Sequence, residues 1–328
     1  MSGPRLVFAG TPEFSATILQ SLCSHGFKPQ LVLTQPDRPR GRGRKLSPSA
    51  VKETSGAWNI PLLQPLTLSP RREEGRVAIS HITTRPFDAL IVAAYGLMIP
   101  TPLLEFPTYG ALNVHASLLP RWRGASPVEY AIMRGDTETG VSLMRMDAGL
   151  DTGSVLARST LQIDPEDTGV SITSRLADLG ASQLCKHLPL LASLAAELQD
   201  DKHATYAPKL TPDAAAIRWS GSAVEIHNQV RALTGRETAW TGICHEDEEI
   251  RVRVYSGVVL DTTSTGNVGQ IVQHPRADLI AVQTGSGLFG ISQIQLSIGK
   301  GTVQPASAAR NGFGFLKSGV FKAPSSPQ

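Results

Sequence analysis

The sequence predicts an α/β fold built on a parallel sheet, followed by a small β-barrel. Short apolar runs alternate with helical patterns over residues 1–198, as in βαβ units whose sheet is covered on both faces. Beyond residue 212, short β-like runs follow one another with turn residues between them, as in a small barrel. The composition agrees, since 41% hydrophobic and 18% charged residues are usual in a folded globular chain.

The first domain is predicted to be Rossmann-like and to span residues 1–198. It begins with a buried strand at residues 5–10 and a helix at 14–26 that ends at a glycine. The longest helical pattern, residues 168–198, closes the domain. The remaining predicted strands are short apolar runs at 31–34, 60–65, 88–95, 110–117 and 140–147.

The second domain is predicted to span residues 213–328 and to be joined to the first by a polar, proline-bearing linker at 199–212. It begins with a helix at 222–235. Arg251 and Arg253 alternate along its first β-like run, so they share one face of a strand that meets either phosphates or solvent. The β-like runs lie at 250–260, 269–273, 279–285 and 288–296.

Positive charge is concentrated in one loop, residues 36–50, with the sequence PDRPRGRGRKLSPSA. The whole chain carries a net charge of only +3, so this loop says more about partners than the overall charge does. Taken alone, such a stretch is most often a solvated flexible connector. The loop directly follows the second predicted strand, however, and loops at the carboxyl ends of parallel strands surround ligand sites. The residues able to pair with phosphates are Arg38, Arg40, Arg42, Arg44 and Lys45.

Several other classes of protein find no support in the sequence. Cys23, Cys185 and Cys244 are far apart, which argues against a disulfide framework or a zinc knuckle. The eight histidines show no HxxxH or HExxH spacing, so no metal site is expected. The longest apolar run, residues 90–100, is too short to span a bilayer, and the first residues lack the pattern of a signal peptide. We therefore expect a cytoplasmic protein.

The most informative segment is residues 112–153. Asn113 and His115 are two residues apart on a predicted strand, so both side chains project from one face near its carboxyl end. A histidine in such a position is, by itself, more often structural than catalytic. Here a glycine-rich turn, DAGLDTG, follows the next predicted strand and carries two acids, Asp147 and Asp151, either of which could reach back to the histidine.

Asn, His and Asp together suit the transfer of a one-carbon acyl group to an amine. Attack of the amine builds a tetrahedral oxyanion, to which an Asn amide and an imidazolium can donate hydrogen bonds. A carboxylate favours the charged imidazolium and fixes its orientation, and a base, directly or through water, removes the amine proton. No Ser or Cys is paired with a His as an activated nucleophile, so a covalent acyl-enzyme is less attractive.

The chain resembles the formyltransferase family that uses 10-formyltetrahydrofolate. The match is carried by the central segments NVHASLLPRWRGASP and DAGLDTG, and by LVFAGTPEFS, LTQPDRPRGRGRKLSPSAVK, AAYGLMIP and YAPKL, which align in order. It covers residues 5–210 and, more loosely, the rest. The resemblance implies that Asn113, His115 and Asp151 are the catalytic trio.

The resemblance also implies the ligands. The formyl donor is expected to be 10-formyltetrahydrofolate, with no metal and no nucleotide cofactor. The second domain is expected to be OB-like and to bind tRNA, because such barrels are often used on nucleic acid. The residues implied for the folate site are Ser117, Leu118, Leu119 and Pro120 at its border, and Leu97, Met98, Ile99 and Pro100 as a wall against the pteridine.

The basic loop and the resemblance together point to an acceptor amine on RNA: the α-amino group of methionine on initiator tRNA, formylated for translation initiation by a monomeric enzyme. Two alternatives stay open. One is a sister formyltransferase acting on a small amine, such as a purine precursor or an amino sugar nucleotide, which the basic loop disfavours. The other is an inactive tRNA-binding relative, which the intact trio disfavours.

Overall fold

The computed structural model describes residues 3–40, 45–246, 248–298 and 301–322, with the backbone alone at Arg40 and Lys45. The chain forms two compact units. The division differs from the predicted limits 1–198, 199–212 and 213–328, because the first unit continues to residue 207 and two internal segments belong to the second. The first unit comprises the chain up to Pro127, Glu138–Gln162 and Thr173–Ala207; the second comprises Val128–Thr137, Ile163–Ile172 and the chain from Pro208.

The described strands of the first unit are β1 (Leu6–Gly10), β2 (Leu31–Leu33), β3 (Arg38–Arg40), β4 (Lys45–Ser47), β5 (Leu62–Leu63), β6 (Ala89–Ala93), β7 (Ala111–His115), β8 (Glu138–Arg145) and β9 (Val155–Gln162). β3 and β4 form a separate antiparallel pair. The other strands form one sheet in the order β5–β2–β1–β6–β7–β8–β9. Every residue of β1, β6 and β7 is buried, as expected for a sheet covered on both faces.

The predicted parallel sheet is confirmed from β5 to β7, while β8 and β9 run antiparallel to their neighbours. β8 occupies the run predicted at 140–147. Its apolar pattern predicts a buried strand but does not encode direction, because side chains alternate identically in both cases.

The helices before residue 188 have apolar residues at helical spacing, which form one buried face. Ile18, Leu19 and Leu22 show this in the first helix. The helix predicted at 168–198 is too long, since it ends at His187. Pro189 follows closely and cannot continue a helix, and Leu188–Leu190 forms a 3₁₀ turn instead. The helices are α1 (Glu13–Ser24), α2 (Ala50–Ala57), α3 (Glu73–Thr83), α4 (Thr101–Glu105), α5 (Pro127–Met133) and α6 (Gly169–His187).

The segment leading out of the first unit is held by backbone hydrogen bonds. Glu197 and Val155 exchange two of them, each 2.9 Å long, and the Ala207 N–H donates to the carbonyl of Arg123 at 2.8 Å. The first part of the predicted linker 199–212 is therefore packed against the first unit.

The second unit is an antiparallel, nearly closed barrel, as predicted. From Pro208 onward its described α-helices and strands are α7 (Ala223–Leu233), β10 (Ala239–His245), β11 (Glu248–Asp261), β12 (Ile271–Val272), β13 (Ile280–Gln283), β14 (Leu288–Leu296), β15 (Gln304–Pro305), α8 (Ala306–Gly312) and β16 (Phe321–Lys322). The strand order is β12–β13–β14–β11–β10–β16, with β15 beside β14. Trp219 stacks on Phe321 in the core, with ring centroids 5.5 Å apart. A capping box between Ser222 and Glu225 starts α7.

Candidate active site

Asn113 and His115 project from one face of β7, between β6 and β8. Asn113 lies beside Val92 of β6 and Met144 of β8. Both polar side chains are buried, with 9% and 6% of their surface exposed. Burial of two polar side chains inside a sheet is costly unless partners satisfy them.

Asp151 is the acid that reaches these two residues. Its Oδ1 lies 3.4 Å from Asn113 Nδ2, and its Oδ2 lies 3.7 Å from His115 Nδ1. The backbone N–H of Gly124 donates to Oδ2 at 2.8 Å. Asp147, the other acid left open by the sequence, instead accepts from the Gly149 N–H and the Thr152 hydroxyl within its own turn.

The antiparallel direction of β8 changes the route by which Asp151 arrives. Arg145, at the end of β8, lies beside Leu112 near the start of β7. The turn that follows β8 therefore has to fold back along β7 to bring Asp151 to Asn113 and His115. Asp151 itself adopts a positive φ of 53° in this turn.

His115 has a second partner that the sequence does not reveal. Its Nε2 lies 3.0 Å from the carbonyl oxygen of Trp122, so this nitrogen carries the proton and donates. The contact fixes the ring orientation and turns Nδ1 toward Asp151. A backbone carbonyl leaves no signal in the sequence, because every residue type carries one.

The loop Ser117–Pro120 is held in place by Ser142 of β8. Ser142 Oγ donates to the Ser117 carbonyl at 2.7 Å and accepts the Leu119 N–H at 3.0 Å. The Ser117 hydroxyl donates to the Arg121 carbonyl at 2.6 Å. Ser117 and Leu119 are buried, while Leu118 and Pro120 are half-buried. The latter two are thus the side chains available to a ligand.

The predicted pteridine wall, Leu97–Pro100, follows β6, the strand beside β7. Ile99 is buried, Leu97 and Pro100 are half-buried, and Met98 is 90% exposed. The segment before it is fixed by the Tyr95 carbonyl, which accepts from the Thr11 hydroxyl at 2.9 Å and from Gln35 Nε2 at 3.0 Å.

The basic loop is anchored at both sides of its base. Asp37 pairs with Lys52 at 2.7 Å. The hydrogen bond from Lys52, and to a smaller extent that from Gln64, holds the pKa of this carboxyl below its usual range. Arg38 donates to Gln35, the residue that also contacts Tyr95. Of the other predicted tRNA-binding residues, Arg40 and Lys45 are described by backbone only, and Arg42 and Arg44 lie outside the described residues.

A cleft of about 240 Å³ on the second unit combines an aromatic ring with arginines. The Arg251 guanidinium lies over the Trp240 ring, 3.7 Å from its centroid. Burial lowers the pKa of Arg251, and the positive charge of Arg253 lowers it further. Arg236, also in the lining, pairs with Glu129 at 2.7 Å. Arg251 and Arg253 thus share one side of a strand, as the alternation predicts, and that side borders a cleft.

Two further observations concern the described residues alone. No group of three or more His, Cys, Asp or Glu is placed there as a metal site would require. No helix in the same ranges is both long and apolar enough to cross a membrane.

Comparison with known proteins gives the family. Residues 5–188 match the formyl transferase family, and residues 209–312 match the formyl transferase C-terminal domain. The solved structure of the sugar 3N-formyl transferase WlaRD is similar, with a TM-score of 0.63 at 17% identity, over 90% of this chain and 98% of that one. At this identity the likeness concerns the fold.

The fold and the site thus define a two-part formyltransferase. The methionyl-tRNA formyltransferase of Marinobacter nauticus is 42% identical over 294 residues, which are 89% of this chain and 91% of that protein. That of Methylococcus capsulatus is 41% identical, over 89% and 92%. The chain belongs to the formyl transferase family, within its methionyl-tRNA formyltransferases.

Proposed function

We propose that this protein transfers the formyl group of 10-formyltetrahydrofolate to the α-amino group of methionine on initiator tRNA, giving N-formylmethionyl-tRNA. The observation that carries the proposal is the placement of Asp151 against both Asn113 and His115 at the carboxyl end of a parallel strand. The relatives that share about two-fifths of its sequence across both parts are methionyl-tRNA formyltransferases.

In the proposed reaction, Asn113 and His115 stabilise the oxyanion that forms when the amine attacks the formyl carbon. Asn113 has two amide N–H groups, and the one that faces Asp151 leaves the other for the oxyanion. His115 Nδ1 lies 3.7 Å from Asp151, which is longer than a hydrogen bond, so its N–H is not committed to the carboxylate. A base, directly or through water, takes the amine proton.

The folate is proposed to bind between the loops that follow β6 and β7. These neighbouring parallel strands end at the same edge of the sheet, so Leu97–Pro100 and Ser117–Pro120 begin side by side. The half-buried Leu97, Leu118 and Pro120 and the exposed Met98 offer apolar surface to a planar ring. Such a mixture of apolar walls and backbone polar groups fits a pteridine. The ligand would supply the formyl group, and these residues would hold and orient it.

The RNA is proposed to contact both units. In the first, the basic residues of loop 36–50 would pair with backbone phosphates near the amine-bearing end. In the second, the cleft of Arg251, Arg253 and Trp240 offers positive charge beside an aromatic face, a pairing that suits an unpaired nucleotide.

The alternatives are weaker on these observations. An amino sugar nucleotide is suggested by WlaRD, but only the fold is shared with it. An inactive relative would not need the buried Asn113 and His115, two polar side chains that cost free energy to bury. A small amine gives no reason for a loop of five basic residues.

One assay separates these readings. The purified protein is mixed with 10-formyltetrahydrofolate and either Met-tRNA, a purine precursor amine or an amino sugar nucleotide, and formylation is measured. We expect turnover with Met-tRNA alone. His115→Ala should lower kcat by about 100-fold or more while the protein stays folded by circular dichroism. Near-normal turnover of the folded variant would remove the proposed mechanism, and formylation of a small amine instead would identify the alternative enzyme.

A further inference from the structure

We infer that Gln199 is a positioning residue that holds the Asp151 turn in the geometry needed for formyl transfer, with Arg123 fixing the orientation of its amide. This inference rests on the proposed catalytic role of Asp151. Gln199 lies in the segment that the sequence predicts to be a linker, and no catalytic motif contains it.

Gln199 binds the main chain of the turn at two carbonyls, one on each side of Thr152. Its Nε2 donates to the carbonyl oxygen of Asp151 at 2.8 Å and to that of Gly153 at 2.7 Å. One side-chain amide therefore uses both of its hydrogens on the segment that carries the catalytic carboxylate.

The turn needs such a clasp because its own geometry is demanding. Asp151 lies in the left-handed region, with φ of 53°, which is unfavourable for a residue with a side chain. At Gly153 a Cβ atom would lie 1.8 Å from the Arg145 carbonyl oxygen, so the turn passes close to the end of β8. Leu150, beside Asp151, is 64% exposed and gives little packing support.

The contacts of the carboxylate leave little tolerance for a shift. Its distances to Asn113 and His115 are 3.4 and 3.7 Å, at the outer limit of direct interaction. A displacement of the turn by about 1 Å would separate Asp151 from both, and misplacements of that size are enough to lower catalytic rates strongly.

Arg123 completes the arrangement. Its Nε donates to Gln199 Oε1 at 3.0 Å, which directs the amide nitrogen toward the two carbonyls. Arg123 is only 2% exposed and pairs with Asp201 at 2.8 Å. The next residue, Gly124, donates its N–H to the Asp151 carboxylate. Thus Arg123 and Gly124 act together on the turn, through the glutamine and directly.

The test compares Gln199→Ala with a matched control, Gln270→Ala. Gln270 is also half-buried and donates Nε2 to the carbonyl oxygens of Ser318 and Gly319, at 3.1 and 3.5 Å, in the second unit. Both variants lose the same type of contact. We expect Gln199→Ala to lower kcat at least tenfold, with the KM of the folate and of Met-tRNA within twofold of wild type, while Gln270→Ala keeps kcat.

A second comparison asks whether Gln199 acts through Asp151. In an Asp151→Asn background the turn no longer presents a carboxylate, so adding Gln199→Ala should cost no further activity. An equal fold-loss in both backgrounds, an equal loss in Gln270→Ala, or an unchanged kcat in Gln199→Ala would each overturn the inference.

A further variant and an NMR measurement distinguish a positioning role of Gln199 from a loss of folding. Gln199→Glu keeps the size of the side chain and an acceptor for Arg123 but removes both donors, so it should fold and still lose kcat. The imidazole NMR signals of His115, recorded without substrate, should shift in Gln199→Ala and stay in Gln270→Ala. The NMR result does not depend on which amine is formylated. Inactivity of the wild type on Met-tRNA would therefore count against the proposed function, and unshifted signals would count against the role of Gln199.

Discussion

At the scale of residues, the site consists of polar groups whose positions are set by backbone atoms. The Trp122 carbonyl accepts a hydrogen bond from His115 and orients it, and the Gly124 N–H donates to Asp151. Gln199 donates to two carbonyls of the turn that carries Asp151. The pattern could place Asn113 and His115 on one face of a strand and an acid on the glycine-rich turn, while the choice of Asp151 over Asp147 came only from the family resemblance. It could not predict the backbone partners, because any residue type supplies a carbonyl or an N–H.

Ser142 gives a prediction at this scale. Its hydroxyl joins the Ser117 carbonyl to the Leu119 N–H and so shapes the loop proposed to border the folate. Ser142→Ala leaves both groups without their partner, at a cost of about 1 to 3 kcal/mol in the free energy of unfolding. We expect the KM of the folate to rise about fivefold, equivalent to about 1 kcal/mol, with kcat little changed.

The control for this variant is Ser55→Ala. Ser55 is also buried in the first unit and donates to the Ile60 carbonyl at 2.9 Å, but lies in α2, away from the loop. It should lose stability in urea unfolding and keep the folate KM. Equal effects of the two variants on KM would mean that the Ser142 bridge has only a structural role.

At the scale of elements, the sequence predicts what each segment is better than where it ends or which way it runs. The apolar runs of β1 and β6 are unmistakable because both faces are buried. The end of α6 at His187 and the antiparallel direction of β8 depend on Pro189 and on tertiary pairing, which periodicity does not record. The direction of β8 affects the proposed site, since β8 ends beside Leu112 and the turn after it has to return to bring Asp151 to Asn113 and His115.

The element that gives a prediction is the hairpin of β3 and β4, whose connection contains Arg42. Its base is anchored to the body of the unit, because Asp37 beside β3 pairs with Lys52 and accepts a hydrogen bond from Gln64. We expect Arg42→Ala to raise the KM of Met-tRNA about five- to tenfold and to leave folate binding unchanged. The logarithm of the Met-tRNA binding constant falls with the logarithm of salt concentration, and the steepness of this fall should decrease by about one in the variant.

Lys28→Ala removes a positive charge from an exposed position elsewhere on the first unit and serves as the control. It should change neither the KM nor the salt slope. If Arg42→Ala behaves like this control at moderate salt, the loop is a connector and not an RNA contact.

At the scale of the whole molecule, the net positive charge is small and is concentrated in a few places. The net charge of +3 is too small for general attraction to RNA, so affinity has to come from local groups. The two places proposed to supply them are loop 36–50 in the first unit and the Trp240 cleft in the second.

A pair of variants tests whether both units contribute to RNA binding. Arg251→Ala removes the guanidinium over Trp240, and we expect it to weaken Met-tRNA binding about fivefold in filter binding while kcat at saturating RNA stays near that of wild type. Because residues 42 and 251 belong to separate compact units, the losses in binding free energy should add in the double variant to within about 0.5 kcal/mol.

The control is Arg276→Ala, which removes a positive charge at an exposed site of the second unit, where the arginine pairs with Asp278. This variant should bind Met-tRNA normally. Normal binding by Arg251→Ala would confine the RNA contact to the first unit, whereas a double variant no weaker than Arg42→Ala alone would mean that the cleft binds only after the basic loop has engaged.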